Sequence, residues 1–130
     1  MKIFGIGTDI VNIKRIEKSI KILGPKFKNR VFSKDEIVYC EKKKNSTPSY
    51  AKRFAAKEAF TKALGTGIRK GVNLKNIEVV NDTYGKPYII LKGSTDTLLK
   101  KKLKSKKYNI YLSLSDDKPW AQATVIISYK

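Results

Sequence analysis

Two acidic residues, Asp9 and Glu58, and one lysine, Lys62, have the residue types and spacing for chemistry on phosphates. Asp9 follows a short apolar run with two glycines, and Glu58 precedes Lys62 by one helical turn. Carboxylates that hold a divalent cation, together with a lysine, neutralise the charge that develops during phosphoryl transfer. Glu58 and Lys62 equally fit a surface ion pair worth roughly a few tenths of a kcal/mol. The residues alone leave both interpretations open.

The amino-acid inventory restricts which nucleophiles and metals the chain can use. It has no histidine and a single cysteine, Cys40, among 130 residues. This excludes Ser–His and Cys–His nucleophile pairs, and it excludes zinc sites with imidazole ligands. Any metal must bind to oxygen ligands, which favours magnesium, calcium or manganese. We expect Cys40 to be a reduced, unreactive thiol, since it has no internal disulfide partner.

The chain is strongly basic, with 29 Lys+Arg against 11 Asp+Glu and a formal net charge of +18. This charge predicts an anionic partner or substrate, such as nucleic acid, an acidic protein or a multiply phosphorylated small molecule. A small basic RNA-binding protein is therefore the alternative to an enzyme, and the seven tyrosines support it. Base-stacking modules group their aromatic residues on strand faces. Here the aromatic residues are scattered among apolar runs.

The apolar segments predict one domain over residues 1–130. The N-terminal residues start directly in a strand-like pattern and lack the features of a signal peptide. No stretch is long and apolar enough to span a membrane. We expect a cytoplasmic protein with no membrane association.

A helix from Ser49, its expected cap, to about Gly65 should lie at the centre of the fold. Its apolar residues recur at helical spacing and predict one buried stripe, formed by Ala56, Ala59, Phe60 and Ala63. The glycines at its end, Gly65 and Gly67, tolerate the left-handed backbone that stops a helix. The run from Lys2 to Ile10 predicts a buried strand whose glycines let another backbone or a ligand approach closely.

Capping residues predict three further helices, which start after Asn12, Ser33 and Ser94. Strand-like runs joined by turns cover residues 77–80 and 88–91, then 108–114 and 120–129. Helices interspersed with strands in hairpins are typical of an α+β domain. We therefore expect one small α+β domain with an antiparallel sheet packed with helices.

Two of the chain's clusters of basic residues each have two interpretations. Lys14, Lys18 and Lys21, with Arg15 alongside, form a basic face on the first helix. This face is either solvated or a docking surface for an acidic helix. The polar loop over residues 42–49 carries three lysines, which most simply form a solvated turn but could meet phosphate near a site.

Five motifs, two of them in two pieces, match those of one family in order along nearly the whole chain. They are Phe4–Ile13, Phe32–Glu36, Arg53–Gly67, Gly85–Pro87 with Leu91–Gly93, and Leu112–Asp117 with Ala121. The chain thereby resembles the holo-acyl-carrier-protein synthases, the small bacterial-type 4′-phosphopantetheinyl transferases. The resemblance implies an enzyme that moves 4′-phosphopantetheine from coenzyme A to a serine of apo acyl carrier protein and releases 3′,5′-ADP.

The resemblance also implies roles for the residues that match the family motifs. It implies Asp9 and Glu58 as ligands of Mg²⁺, with Lys62 as the lysine that stabilises charge on the phosphates. Glu58 or a metal-bound water would assist removal of the serine proton. The residues implied as contacts of coenzyme A are Arg53, Gly65, Thr66, Gly67 and Pro87, with Pro87 against the nucleotide.

The resemblance further implies a homotrimer with sites between subunits. The acidic carrier protein would dock on the face formed by Lys14, Arg15, Lys18 and Lys21. One residue departs from the family pattern, because Asp116 stands where the family often has histidine. Asp116 is either a further magnesium ligand or a residue that caps a turn over residues 115–119, and we favour the turn.

Overall fold

The computed structural model describes residues 1–67 and 72–130. Its helices and strands follow one another in the order β1 (Lys2–Asn12), α1 (Ile13–Leu23), α2 (Pro25–Val31), α3 (Lys34–Glu41), α4 (Thr47–Leu64), β2 (Ile77–Asn81), β3 (Pro87–Leu91), α5 (Gly93–Leu103), β4 (Tyr108–Asp117) and β5 (Trp120–Tyr129). A short 3₁₀ turn, Leu74–Asn76, precedes β2. The predicted α+β fold is confirmed.

All strand pairs in the described ranges are antiparallel, as predicted, and they form two sheets. The larger sheet has the order β1-β5-β4, so β5 is paired along both edges. The smaller sheet is the β2–β3 hairpin, in which Ile77 lies opposite Leu91. The helix α4 packs against the larger sheet and also contacts β2. The core lies between these layers.

Two glycines of β1 allow α4 to lie directly on the sheet. A Cβ atom added at Gly5 would lie 1.9 Å from the carbonyl oxygen of Ala63, and one added at Gly7 would lie 2.0 Å from that of Ala59. Any side chain at either position would push the helix away. The predicted close approach is therefore confirmed, and the approaching backbone is that of α4.

The burial of α4 extends beyond the predicted single stripe. The four stripe residues are buried as predicted, but Ala55, Lys57 and Thr61 are buried as well. The helix has the sheet on one side, while α1, α3 and β2 contact its other sides. Polar side chains of α4 therefore lie inside the core, where each needs a hydrogen-bonding partner.

The predicted buried strand β1 is buried on one face only. Gly7 and Val11 face inward, whereas Ile6 and Ile10 are 66% and 60% exposed. Strand alternation places these isoleucines on one surface, here called the outer sheet face, with Thr8, Tyr111, Trp120, Gln122, Thr124 and Ile126. Tyr111 and Trp120 are about half exposed there. The outer sheet face therefore combines exposed apolar and polar side chains.

The predicted start of α4 at Ser49 is wrong. The helix begins at Thr47 with Ser46 at the N-cap, and Ser49 is buried within it. The intervening Pro48 fits the first turn, because the N–H that proline lacks would have no intrahelical partner there. The loop before the helix is correspondingly shorter than expected.

Two further helix boundaries differ from the predictions. α5 begins at Gly93, after Lys92, and so includes Ser94, which was the expected cap. The additional helix α2 follows Gly24, because Pro25 starts a new helix after ending α1. None of the helices in the described ranges is long and apolar enough to cross a membrane.

Candidate active site

The structure brings Asp9, Glu58 and Lys62 together where β1 crosses α4. The Nζ atom of Lys62 lies 3.0 Å from Oδ1 of Asp9, and it donates a second hydrogen bond of 3.0 Å to the carbonyl oxygen of Thr8. Lys62 does not pair with Glu58 among the described residues, so the simple surface pair within α4 is not formed. The Lys62 side chain is 55% exposed, and its ammonium group remains accessible to a ligand.

The carboxyl group of Glu58 is half-buried beside a like charge. Burial raises the pKa of Glu58, and the charge of Asp9 raises it further. The positive charges of Lys62 and Arg15 act in the opposite direction. Two carboxyl groups that interact unfavourably form a place where a cation relieves the repulsion.

Asp9 and Glu58 fit a magnesium ion that is shared with a bound phosphate. Mg²⁺ prefers oxygen ligands and commonly binds through one or two carboxylates plus substrate phosphates. The described residues contain no group of three or more Asp, Glu, Cys or His side chains that could hold a metal without a substrate. Asp9 and Glu58 would hold such an ion, and it would supply positive charge to a phosphate.

Lys57, the residue before Glu58, points into the core and is fully buried. Its Nζ atom lies 2.7 Å from Oε1 of Glu36 and donates to the carbonyl oxygens of Leu74 and Ile77. Glu36 also accepts a hydrogen bond from the N–H of Val79. Burial lowers the pKa of Lys57, while the adjacent Glu36 carboxylate raises it. This network fixes the rotation of α4, and hence the direction of Glu58.

A basic pocket of about 420 Å³ lies between α4, the loop before it, the β2–β3 hairpin and β4. Its walls include Lys43, Lys52, Arg53, Asn81 and Pro87. The two predicted coenzyme A contacts Arg53 and Pro87 are thus brought together. The three lining cations suit an anion.

Arg53 is buried in the basic pocket without a carboxylate partner among the described residues. It is 3% exposed, and its guanidinium donates to the side-chain oxygen of Asn81 at 2.5 Å. Its Cζ atom lies 4.1 Å from the ring centre of Tyr39, and Nζ of Lys43 lies 4.8 Å from the same ring centre. Tyr39 therefore contacts two cations. A buried, unpaired guanidinium stabilises an incoming anion.

Gly65 ends α4 as predicted, in the left-handed conformation with a φ of 87°. Its N–H donates to the carbonyl oxygens of Thr61 and Lys62. Gly67 also has a positive φ, and an added Cβ atom at either glycine would meet no atom of the described residues within 4 Å. This turn, with Thr66 at its centre, begins three residues after Lys62. It does not line the basic pocket.

The predicted turn around Asp116 is wrong. The ladder between β4 and β5 continues to Asp117, and Asp116 lies opposite Ala121 within it. Only Lys118 and Pro119 remain to connect the two strands, so Asp116 does not cap a turn. Its Oδ1 atom instead lies 3.3 Å from Nζ of Lys52 on α4.

The basic face of α1 is exposed, as predicted for Lys14, Lys18 and Lys21. Lys21 forms an ion pair of 3.4 Å with Glu17, which the sequence reasoning had left out of this face. Arg15 lies over the ring of Phe54 on α4, with its Cζ atom 5.9 Å from the ring centre. Arg15 therefore belongs partly to the surroundings of Glu58.

The chain matches known proteins over almost its whole length. Residues 5–123 match the model of the 4′-phosphopantetheinyl transferase superfamily. The chain is 47% identical over 130 residues to the holo-[acyl-carrier-protein] synthase of Pelagibacter ubique (strain HTCC1062), with 100% of both chains covered. The chain belongs to the holo-[acyl-carrier-protein] synthase family.

Solved structures of holo-[acyl-carrier-protein] synthases have the same fold as this chain. The crystal structure from Neisseria meningitidis has a TM-score of 0.89 and 38% identity, and covers 98% of this chain and 100% of its own. The structure from Bacillus anthracis str. Ames, in complex with coenzyme A (3′,5′-ADP), has a TM-score of 0.81 and 37% identity, with 98% of each chain covered. The resemblance inferred from the sequence motifs is confirmed, and the chain is a member of an enzyme family.

Sequence reasoning missed several residues that shape this member of the family. Glu36 was identified only as part of a capping box, although the same carboxylate also binds Lys57. Lys57 lies among alanines that predict burial, and a lysine in such a place indicates a buried acidic partner. Tyr39 and Asn81, which hold Arg53, gave no signal, because only the tertiary fold brings them to α4.

Substituting Lys57→Met should destabilise the fold by about 3–5 kcal/mol, because it leaves the buried Glu36 carboxylate without its cation. Chemical unfolding measures this loss. The matched control is Lys62→Met, which removes a lysine whose side chain is 55% exposed and should cost about 1 kcal/mol or less. Equal losses in the two variants would show that the Lys57–Glu36 pair does not hold α4.

Proposed function

We propose that the chain transfers the 4′-phosphopantetheine group of coenzyme A to a serine of apo acyl carrier protein and releases 3′,5′-ADP. The observation that carries this proposal is the acidic pair Asp9 and Glu58 with Lys62, on a chain that also has a basic pocket with a buried, unpaired Arg53. The names of the similar proteins and the coenzyme A complex of one of them support it.

The basic pocket would bind the nucleotide part of coenzyme A. Arg53 and Lys43 supply positive charge for its phosphate groups, and Pro87 offers an apolar surface to the nucleotide. The turn formed by Gly65, Thr66 and Gly67 would contact coenzyme A near Lys62, because its glycines have no side chain that would keep a ligand from the backbone. Fixed cations of this kind bind phosphates without reorganising.

Asp9 and Glu58 would hold Mg²⁺. The ion, when bound, neutralises negative charge on the pyrophosphate. Lys62 adds an ammonium group for the charge that develops on the leaving phosphate. Glu58 is the carboxylate of this chain that would accept the serine proton, because Asp9 already accepts a hydrogen bond from Lys62.

The proposed reaction balances as a simple displacement at phosphorus. The serine oxygen forms a bond to the β-phosphorus of coenzyme A and loses its proton. The bond between that phosphorus and the bridging oxygen breaks, and 3′,5′-ADP leaves with the electron pair. The chain's own side chains orient the phosphates and stabilise charge throughout.

We further propose that three copies assemble through the outer sheet face and that each site lies between two of them. This face exposes Ile6, Ile10, Tyr111 and Trp120 around hydrogen-bonded polar residues at its centre, such as Gln122 and Thr8. Asp9, Glu58 and Lys62 are not among the residues that line the basic pocket. A second copy could complete the site.

The carrier protein would dock on the face of α1 formed by Lys14, Arg15, Lys18 and Lys21. Three of these four side chains carry positive charge without an ion pair among the described residues, and Lys21 is the exception. An acidic helix complements such a surface. We propose no RNA-binding function. That the chain forms a single domain, and that the protein is cytoplasmic, both remain predictions.

The carrier protein should gain the mass of phosphopantetheine when mixed with this protein, coenzyme A and magnesium, as measured by mass spectrometry. Chelation should abolish the transfer and added magnesium should restore it. Glu58→Gln should lower kcat by about a hundredfold or more with little change in Tm. The control Asp35→Asn removes an exposed carboxylate on α3 and should behave as wild type.

Each outcome of this experiment tests a different part of the proposal. No transfer with any carrier protein would overturn the function. Full transfer in excess chelator would overturn the metal assignment alone. A large loss of Tm in Glu58→Gln with normal turnover would make Glu58 a structural residue.

Reversing two charges of α1, Lys14→Glu with Lys18→Glu, should raise the KM for carrier protein at least about fivefold and leave the KM for coenzyme A nearly unchanged. Rim charges act mainly on association, and salt screens them. Steady-state kinetics at low and high salt provide the measurement. The control Lys106→Glu with Lys107→Glu has the same charge change away from α1, and an equal effect there would contradict docking on α1.

Two inactive variants should complement each other if sites lie between subunits. Glu58→Gln damages the acidic pair, and Lys43→Glu damages the basic pocket. After random mixing of subunits, about one quarter of the sites would combine an intact acidic pair with an intact pocket. Transfer activity of the co-refolded mixture should therefore exceed that of either variant alone. Absence of recovery in a verified mixed oligomer would place each whole site within one chain.

A further inference from the structure

An ion pair between α4 and β4 lies at the edge of the basic pocket. Nζ of Lys52 is 3.3 Å from Oδ1 of Asp116, and the two side chains are 31% and 37% exposed. Lys52 lines the pocket, and so does Leu114, which lies two residues before Asp116 on the same face of β4. The pair is therefore part of the pocket's rim.

The three cations of the pocket are held in different ways. Arg53 is fixed by Asn81 and stacked on Tyr39, and Lys43 lies over the same ring. Among the described residues, Lys52 alone of the three has a carboxylate partner. A carboxylate next to an anion site repels the anion unless a cation lies between them. The placement of Asp116 behind Lys52 satisfies that condition.

Asp116 is the more rigid member of the pair. It belongs to a strand that is hydrogen-bonded to β5 through Ala121, and its side chain is short. Lysine has a flexible four-carbon stem and loses rotamer entropy whenever its ammonium group is held in one place. A fixed carboxylate that already holds the ammonium group reduces the entropy lost when a ligand binds.

We propose that Asp116 is a positioning residue that holds Lys52 as the third cation of the basic pocket, where Lys52 contacts the 3′-phosphate of coenzyme A. This inference rests on the proposed function. The 3′-phosphate is a terminal, doubly charged group, and several converging cations suit it. In the proposed function the pyrophosphate lies at Lys62 and the ion that Asp9 and Glu58 would hold, which leaves the cations of the basic pocket for the 3′-phosphate.

The test compares the binding of coenzyme A and 3′-dephospho-coenzyme A to the intact protein by titration calorimetry. The two ligands differ only in the 3′-phosphate. Wild type should prefer coenzyme A, and Lys52→Met should reduce that preference by about tenfold, the usual scale for one charge-assisted hydrogen bond. Lys52→Arg should keep most of the preference. Binding of the dephosphorylated ligand should hardly change in either variant.

Asp116→Asn should change the affinity for coenzyme A in opposite directions, depending on whether Lys52 is present. In the wild-type background it should weaken coenzyme A binding by about threefold, because Lys52 loses its anchor. In the Lys52→Met background the same change should strengthen binding, because it removes a bare carboxylate beside the phosphate. A merely structural role for Asp116 would weaken binding, or leave it unchanged, in both backgrounds.

The matched control is Lys101→Met, which removes one positive charge from an exposed position on α5. It should leave the preference for coenzyme A unchanged. If Lys52→Met also leaves the preference unchanged while transfer proceeds, this inference is wrong and the proposed function stands. If Asp116→Asn weakens binding equally in both backgrounds, the positioning role is wrong. If wild type neither binds coenzyme A nor transfers its arm, the proposed function fails and this inference fails with it.

Discussion

Asp9 can meet residues of α4 only because β1 has no side chains at Gly5 and Gly7, where the helix crosses the strand. The carbonyl oxygens of Ala59 and Ala63 occupy the space that two Cβ atoms would take. The strand and helix backbones are therefore in contact, and Lys62 can bridge from α4 to the strand. The acidic pair forms only because the backbones of β1 and α4 lie this close together.

The second constraint is the rotation of α4 about its axis. Lys57 lies inside the core with Glu36, and successive residues of a helix point about 100° apart. A buried lysine is costly unless its charge is paired and its donors are satisfied, and here the carboxylate and two backbone carbonyls satisfy it. Since Lys57 has only this one favourable place, the direction of the neighbouring Glu58 is also determined. The pair helps to determine the geometry of the site even though it lies outside the site.

Local patterns predicted the parts of the structure that depend on neighbours in sequence. The capping box at Ser33, the glycine stop at Gly65 and the apolar spacing within α4 all appeared as expected. Family motifs supplied Asp9, Glu58 and Lys62, which residue chemistry alone could not separate from a surface pair. The start of α4 was misplaced, because Pro48 was not recognised as a first-turn residue.

The features that the sequence did not predict depend on tertiary contacts. Asp116 had the composition of a turn, but pairing with Ala121 on β5 extends the strand through it. The partner of Asp116 is Lys52, 64 positions earlier in the chain, and no local pattern links them. The exposed face of β1 was also missed, because a run of isoleucines and glycines predicts burial without showing what covers the strand.

The helix α4 carries Arg53 and Glu58 only five residues apart, which places them about 7.5 Å apart along its axis and about 140° apart around it. The acidic pair and the basic pocket thus share one rigid element and face different directions. In an assembly whose sites lie between subunits, each α4 would serve two neighbouring reaction centres at once. In an assembly of three, a single distorted helix would then impair two of the three centres, and only the centre between the two other subunits would stay intact.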